Sequence, residues 1–329
     1  MTGKNARQDL DEGFPTSLEH NLGVNNHTLC SSLDDEPEVV ICVDFENSAL
    51  PVLKRAKQMS IPKVLIKQEP IVVFPQHRFP NPKGIFDYVI TKGKVSEGGL
   101  YNYGNTWPKS IEFEEARKRK FVAVTANKWS AIGGELYELR RKVYASDHRV
   151  DLFGRGWQAT PYEEISQVIK ELILASMSGV FPKLPSLSNW RSKPQNYLGA
   201  VDNKRTIMAS YDYALIIENC TFYTSEKLMD SLLVGNFPVY VGGNLAGLGI
   251  PNEFVIQATA DCNSVTRAID EAFEIDLVKF RKNLLDWLVE PSTRENWSAN
   301  QIWRRILRDI EKKVSYLNSL AYSIEKSND

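Results

Sequence analysis

The sequence has 329 residues, which is enough for two domains that each bury a core of ordinary size. Hydrophobic residues make up 43% of the chain and charged residues 25%, and these fractions are typical of globular proteins. The formal net charge of -1 argues against a polyanionic partner, so we expect no nucleic acid as a ligand.

Cysteine usage and the N-terminal segment bear on the compartment. The four cysteines show no CxxC spacing, so they favour neither a zinc site nor a disulfide framework and fit a reducing environment. Residues 1–36 are polar and lack periodicity, which predicts a flexible arm with neither a signal peptide nor a membrane anchor. We expect a cytoplasmic protein without a transmembrane segment. Peripheral contact with the inner face of the membrane stays open.

Residues 37–115 alternate short apolar runs with a helical pattern. Such alternation is typical of a parallel sheet with crossover helices, so this range predicts a first Rossmann-like lobe. The predicted strands are 38–44, 63–67 and 86–90, with a helix at 51–59. A charged segment at 113–120 follows, and its pattern predicts a helical connection to the next lobe.

Residues 116–297 repeat the same alternation and predict a second Rossmann-like lobe. Together the two lobes predict an α/β fold of two doubly wound sheets with a cleft between them and ligands at the carboxyl ends of the strands. The tail at 298–329 carries an apolar stripe that predicts a helix packed on a domain surface. The second lobe's predicted strands are 121–125, 150–153, 213–217, 238–241 and 254–256, its helices are 135–144 and 225–234, and the stripe consists of Ile302, Trp303, Ile306, Ile310 and Val314.

The densest polar cluster beside a buried strand is the loop at 218–227. A strand-to-helix loop directs backbone N–H groups and the positive end of a helix toward a ligand, which suits a diphosphate. Lys227 falls in the first helical turn, where the helix dipole disfavours a cation, so an anion bound at that helix end would explain it. Glu226 can accept hydrogen bonds from ribose hydroxyls. The alternative is an ordinary helix start capped by Thr224 or Ser225.

The stretches YDYALIIENC at 211–220 and YTSEKLMDSLLVGNFPVYVG at 223–242 carry a specific resemblance. They resemble the donor-binding signature of the α1,3/4-fucosyltransferases of glycosyltransferase family 10. The resemblance implies a GT-B fold, with an acceptor lobe at 37–115 and a nucleotide-sugar lobe at 116–297. It also implies inverting transfer of L-fucose from GDP-fucose to a glycan acceptor, with no metal and no cofactor besides the donor substrate.

By this resemblance the donor site is lined by Asn219, Tyr223, Glu226 and Lys227, with Lys227 on the phosphates and Glu226 on the ribose. The sequence departs from the family at 132–134, where the family's phosphate-binding arginine is absent. We expect the side chain of Lys128 or Arg155 to supply the positive charge instead, although a solvated loop residue is an equal alternative for Arg155.

An inverting transfer needs one carboxylate that removes the proton from the attacking acceptor hydroxyl. Glu69 follows the end of the predicted strand at 63–67 and resembles the Glu of the family's Glu-Ser-Pro segment, the proposed base. The alternative is an exposed loop acid, and Asp44 and Glu46 are the next candidates. His77 is a candidate for orienting the acceptor, although a lone loop histidine is usually only solvated.

The predicted function is therefore fucosyl transfer to a glycan hydroxyl, of α1,3 type by resemblance, in surface-polysaccharide assembly or protein glycosylation. Two alternatives stay open: a GT-B transferase that uses another nucleotide sugar, and a catalytically silent binding or scaffold protein of the same fold. A doubly wound enzyme of other chemistry, such as an epimerase, is disfavoured because no GxGxxG opens either lobe.

Overall fold

The structure, a computed structural model, falls into two compact units. One unit contains residues up to 69, residues 76–107 and residues from 295 onward, and the other contains 70–75 and 108–294. The predicted N-terminal arm lies outside the described residues apart from 32–35. The structure describes residues 32–35, 37–91, 95–96, 99–100, 104–159, 161–184 and 194–327.

The first unit is built on a parallel sheet of three strands in the order β1, β2, β3. The central strand β2 is buried along its whole length, as expected for a parallel strand that is covered on both faces. A short antiparallel pair, β4 and β5, follows the sheet in the chain. The bounds are β1 Val40–Val43, α1 Leu50–Gln58, β2 Lys63–Lys67, β3 Tyr88–Thr91, β4 Val95–Ser96 and β5 Gly99–Leu100.

Alternate residues of β2 belong to different layers of this unit. Leu65 packs in one cluster with Leu53 and Ala56 of α1, because α1 directs an apolar face onto the sheet. Val64 and Ile66 pack in a second cluster with the last helix of the chain, α9 (Ala299–Ser327). The predicted stripe of α9 forms that contact, and its members Ile302, Trp303, Ile306, Ile310 and Val314 are all buried.

The second unit contains a parallel sheet of six strands in the order β11, β10, β9, β6, β7, β8. The central strands β9 and β10 are buried at every residue. The bounds of the strands are β6 Lys118–Val124, β7 Val150–Phe153, β8 Tyr197–Gly199, β9 Tyr211–Ile217, β10 Phe237–Val241 and β11 Ile256–Gln257. The helices are α2 Tyr137–Ser146, α3 Pro161–Met177, α4 Lys204–Ala209, α5 Lys227–Leu233, α6 Cys262–Phe273 and α7 Leu277–Leu288. Helix α8, Pro291–Trp297, contains the last residues of this unit and the first residues of the segment from 295 onward.

The predicted helix at 113–120 is wrong, because 113–117 are not helical and the last three residues begin β6. Lys118 pairs with Tyr211 of β9, and the guanidinium of Arg117 donates to the carbonyls of Tyr211 and Val234. These partners are about a hundred residues away in sequence, so the local charge pattern did not reveal them. Helix α3 was not predicted, since its apolar residues do not form a single stripe: Val168 and Ala175 are buried while others are exposed.

Candidate functional site

The loop after β9 is held together by a fully buried carboxylate, that of Glu218. This carboxylate accepts hydrogen bonds from the backbone N–H and the hydroxyl of Ser225, each at 2.8 Å. The backbone N–H of Glu218 donates to the carbonyl of Val241 at the end of β10. The loop therefore closes back on the carboxyl end of its own strand, which is the edge where ligands of parallel sheets bind.

Gly242 lets the chain after β10 approach this loop closely. A β-carbon at this position would lie 2.4 Å from the Tyr240 hydroxyl and 2.6 Å from Cγ of Glu218. Both distances are far shorter than van der Waals contact, so a side chain cannot be added without moving the loop. The backbone at Gly242 therefore approaches both Tyr240 and the buried Glu218.

Lys227 opens α5, as the sequence predicts, and its ammonium group has partners within the protein. Its Nζ lies 2.9 Å from Ser225 Oγ and 3.5 Å from Glu218 Oε2. The carboxylate of Glu218 is thus an anion at the same helix end. This internal anion explains why a cation is tolerated at the start of α5, so the position of Lys227 does not require a bound ligand. About a fifth of the Lys227 side chain, 22%, is exposed.

Glu226 belongs to a network of four charged side chains. Lys204, the first residue of α4, lies 2.7 Å from the Glu226 carboxylate and 2.5 Å from Asp230 on α5. Arg205 also contacts Asp230, at 2.6 Å. Burial alone would raise the pKa of Glu226, but the charges of Lys227 and Lys204 outweigh it and hold the pKa well below its ordinary value. Glu226 is therefore an anion at neutral pH and available as a hydrogen-bond acceptor.

Lys204 was missed by the sequence reasoning, although the sequence carried a signal for it. Asn203 caps α4 by accepting from the N–H groups of Arg205 and Thr206, so Lys204 falls in a first helical turn. A cation there is disfavoured by the helix dipole, which is the argument that singled out Lys227. Burial lowers the pKa of Lys204, but Glu226 and Asp230 raise it further, so the net pKa lies above the ordinary lysine value.

Asn219 is buried and is fixed by a second residue that the sequence reasoning missed, Arg140 of α2. The Arg140 guanidinium donates to Asn219 Oδ1 at 3.1 Å and to the carbonyl of Ile217 at 2.8 Å. Because a guanidinium has no acceptor, the amide oxygen must face it and the amide NH₂ group must point away. Asn219 is thereby oriented as a hydrogen-bond donor.

Tyr223 is also buried, with 7% of its surface exposed. Its carbonyl accepts from the Tyr240 hydroxyl at 3.2 Å and from the N–H of Gly243 at 2.9 Å. These bonds tie the middle of the loop to the segment after β10. The segment 219–227 contains the four predicted residues Asn219, Tyr223, Glu226 and Lys227, and it is bonded to β10, α2 and α4.

Lys128 and Arg155 lie on the loops that follow β6 and β7, and both residues are exposed. The two loops are joined by a hydrogen bond from Asn127 N–H to the carbonyl of Arg155 at 2.9 Å. The carbonyl of Lys128 accepts from Arg141 at 2.7 Å. These cations therefore stand at the carboxyl ends of neighbouring strands of the sheet that contains β9.

In the first unit, Glu69 follows β2 and is half-buried. Its backbone N–H donates to Oδ1 of Asp44 at 3.0 Å, and its carbonyl lies 2.9 Å from Nδ1 of His77. The sequence reasoning picked these three residues separately, and the structure brings them together. Glu46 is exposed and accepts a hydrogen bond from Ser48 at 3.4 Å.

Proteins of similar fold are found among solved structures. No protein-family profile matches the sequence, and no curated protein sequence matches it. Among solved structures, an α1,3-fucosyltransferase is similar over 94% of this chain and 87% of its own, with 14% identity and a TM-score of 0.51. HepE from Anabaena, in complex with UDP and glucose, is similar over 90% of this chain and 81% of its own, with 13% identity and a TM-score of 0.50.

The fold is that of the GT-B glycosyltransferases. At these identities the likeness establishes the GT-B fold alone. None of the described helices is both long and apolar enough to cross a membrane.

Proposed function

We propose that this GT-B protein is an inverting glycosyltransferase that transfers L-fucose from GDP-fucose to a hydroxyl group of a glycan. The observation that carries the proposal is the cross-linked loop after β9, where Asn219, Glu226 and Lys227 are held in place by Arg140, Lys204 and Glu218. One rigid loop thus carries an amide that donates hydrogen bonds, a carboxylate that accepts them and an ammonium group that neutralises negative charge. These groups suit a nucleoside diphosphate as ligand.

The proposed roles follow from the chemistry of each group. Lys227 neutralises charge on the diphosphate, Glu226 accepts from the ribose hydroxyls, and Asn219 donates from its NH₂ group. Tyr223 lines the same site. Lys128 and Arg155 supply further positive charge for the leaving group, in place of the arginine that is absent from 132–134.

The proposed reaction is a single displacement. Glu69 removes the proton from the acceptor hydroxyl, and the oxygen of that hydroxyl forms a bond to the anomeric carbon of fucose. The bond from that carbon to the phosphate oxygen breaks, and its electron pair leaves with GDP. Because cationic side chains and amide groups stabilise the departing diphosphate, we propose that the reaction requires no metal ion.

A second donor class is favoured by one comparison, since a structure of similar fold contains UDP and glucose. Calorimetric titration with GDP and with UDP, followed by transfer assays across GDP-linked and UDP-linked sugars in the presence of EDTA, separates the two. We expect GDP to bind more tightly and GDP-fucose to turn over with EDTA present. Turnover of UDP-sugars alone would make the fucose assignment wrong.

The test of an enzyme against a silent protein of the same fold uses two variants. Glu69→Gln should abolish transfer and leave GDP affinity intact, because Glu69 acts on the acceptor. Lys227→Ala should weaken GDP binding by about tenfold, the scale of one charge-assisted contact. A protein that binds neither nucleotide would support the scaffold alternative.

A further inference from the structure

The loops after β1 and β2 of the first unit meet at the carboxylate of Asp44. Its Oδ1 accepts the backbone N–H of Gln68 at 2.6 Å and that of Glu69 at 3.0 Å. Asp44 has a φ angle of 50°, a left-handed conformation that side chains other than glycine, asparagine and aspartate seldom adopt. This backbone conformation costs free energy locally, and it occurs at the residue whose carboxylate accepts hydrogen bonds from the loop after β2.

His77 bonds the peptide on the other side of Glu69. Its Nε2 accepts the N–H of Phe45 at 3.3 Å, and its Nδ1 lies 2.9 Å from the carbonyl of Glu69. A nitrogen that accepts cannot carry a proton, and a nitrogen facing a carbonyl must carry one. The geometry therefore assigns the neutral imidazole with the proton on Nδ1.

The charges around His77 are consistent with a neutral ring. Burial lowers its pKa, and this effect outweighs the opposite effects of the Glu69 carbonyl and of Asp44, whose carboxylate lies 3.7 Å from Nε2. Lys67 also lowers the pKa of His77, and its ammonium group lies 3.2 Å from the His77 carbonyl. With 7% of its surface exposed, His77 is a buried residue and not a solvated loop histidine.

We propose that Asp44 and His77 are positioning residues for Glu69. The proposal rests on the role of Glu69 as the base in the proposed function. Asp44 fixes the N–H of Glu69 and His77 fixes its carbonyl, so the Cα of Glu69 is held from both sides. A base whose backbone is fixed in this way meets the acceptor hydroxyl at a defined distance.

A purely structural role for the two residues would predict the same hydrogen bonds, so the test must separate the roles. His77→Asn places an amide N–H at the position of Nδ1 and keeps the bond to the Glu69 carbonyl. His77→Gln places its amide at the position of Nε2 and loses that bond. The two variants exchange the two contacts: His77→Asn keeps the bond to the Glu69 carbonyl and loses the one from the Phe45 N–H, and His77→Gln does the reverse.

We expect His77→Gln to lower kcat by about tenfold to a hundredfold and His77→Asn by no more than about threefold, because misplacing a catalytic group by about 1 Å costs rate on this scale. GDP affinity should not change in either variant. A loss of kcat in His77→Asn as large as that in His77→Gln would overturn the proposal.

A second measurement tests the hydrogen bonds from Gln68 and Glu69 to Asp44 and requires no enzymatic turnover. Asp44→Asn keeps the left-handed backbone accessible but replaces a charged acceptor by a neutral one of about half the strength. Hydrogen exchange at the amides of Gln68 and Glu69 should then rise by about tenfold. Unchanged exchange would refute the proposed role of Asp44 in holding the backbone of Glu69. Full activity of Glu69→Gln would instead refute the assignment of Glu69 as the base, and the hydrogen bonds of Asp44 and His77 to its backbone would be unaffected.

Discussion

Lys204 offers the sharpest test of the network around Glu226, because its neighbour Arg205 provides a matched control. Lys204 contacts both Glu226 and Asp230, whereas Arg205 contacts Asp230. Replacing either by methionine keeps the aliphatic stem and removes the charge. Both variants should therefore lower stability, but only Lys204→Met changes the surroundings of Glu226.

The magnitude follows from burial. Asp230 has 3% of its side chain exposed, so losing one of the cations that contact it should cost about 2 kcal/mol, less than the roughly 3 to 5 kcal/mol of a buried charge left unpaired. Glu226 and Lys204 are 27% and 36% exposed, so their pair contributes at most about 1 kcal/mol after solvent screening. The sum for Lys204→Met is about 3 kcal/mol, which lowers Tm by about 6 to 12 °C in a unit of this size.

Differential scanning calorimetry and GDP titration on both variants form the assay. For Arg205→Met we expect a Tm drop of about 4 to 8 °C with unchanged GDP affinity. For Lys204→Met we expect the larger drop and a GDP affinity weakened by about threefold to tenfold, because Glu226 loses its preorganisation. Equal Tm and equal GDP affinity in the two variants would refute the coupling of Lys204 to Glu226.

Three further predictions concern the same loop. Glu218→Gln should destabilise the protein by about 2 to 4 kcal/mol in urea unfolding, since the amide NH₂ would face the ammonium of Lys227; a smaller loss than about 1 kcal/mol contradicts this. Asn219→Asp should raise Tm, because buried Arg140 gains a carboxylate, yet weaken GDP binding through the lost donor; unchanged affinity would exclude Asn219 from the site. Glu226 has a pKa held below its ordinary value near 4.5, so its stabilising contribution is present above that pH and is lost as pH falls further; urea unfolding between pH 3 and 6 should show this loss, and Lys204→Met should reduce it.

The parts of the fold set by local pattern were predictable. Strand β2 matches the predicted range of 63–67 residue for residue, because a continuous apolar run in a central parallel strand has few alternatives. The predicted helix at 225–234 stops just before Gly235, whose φ angle of 76° is one that glycine adopts without strain. In both places the physical cause lies within a few residues of its effect.

The residues that organise the candidate site were less predictable, because their partners are distant in sequence. Arg140 reaches Asn219 across 79 positions, and Lys204 reaches Glu226 across 22. A helix that contains Arg140 gives no sign of which loop its guanidinium meets. For Lys227 the position at a helix start was predicted but the partner was not. The sequence suggested a bound anion, whereas the structure places the carboxylate of Glu218 beside it.

The packing of α9 on the first sheet has a consequence for how the protein emerges during synthesis. Apart from the short piece at 70–75, the second unit is a continuous stretch of 187 residues and can fold once residue 294 has left the ribosome. Strand β2 must wait for residues beyond 300 before Val64 and Ile66 are covered. Nascent chains of this protein should thus acquire protease resistance in residues 108–294 before the residues that precede them, which departs from the usual N-terminal-first order.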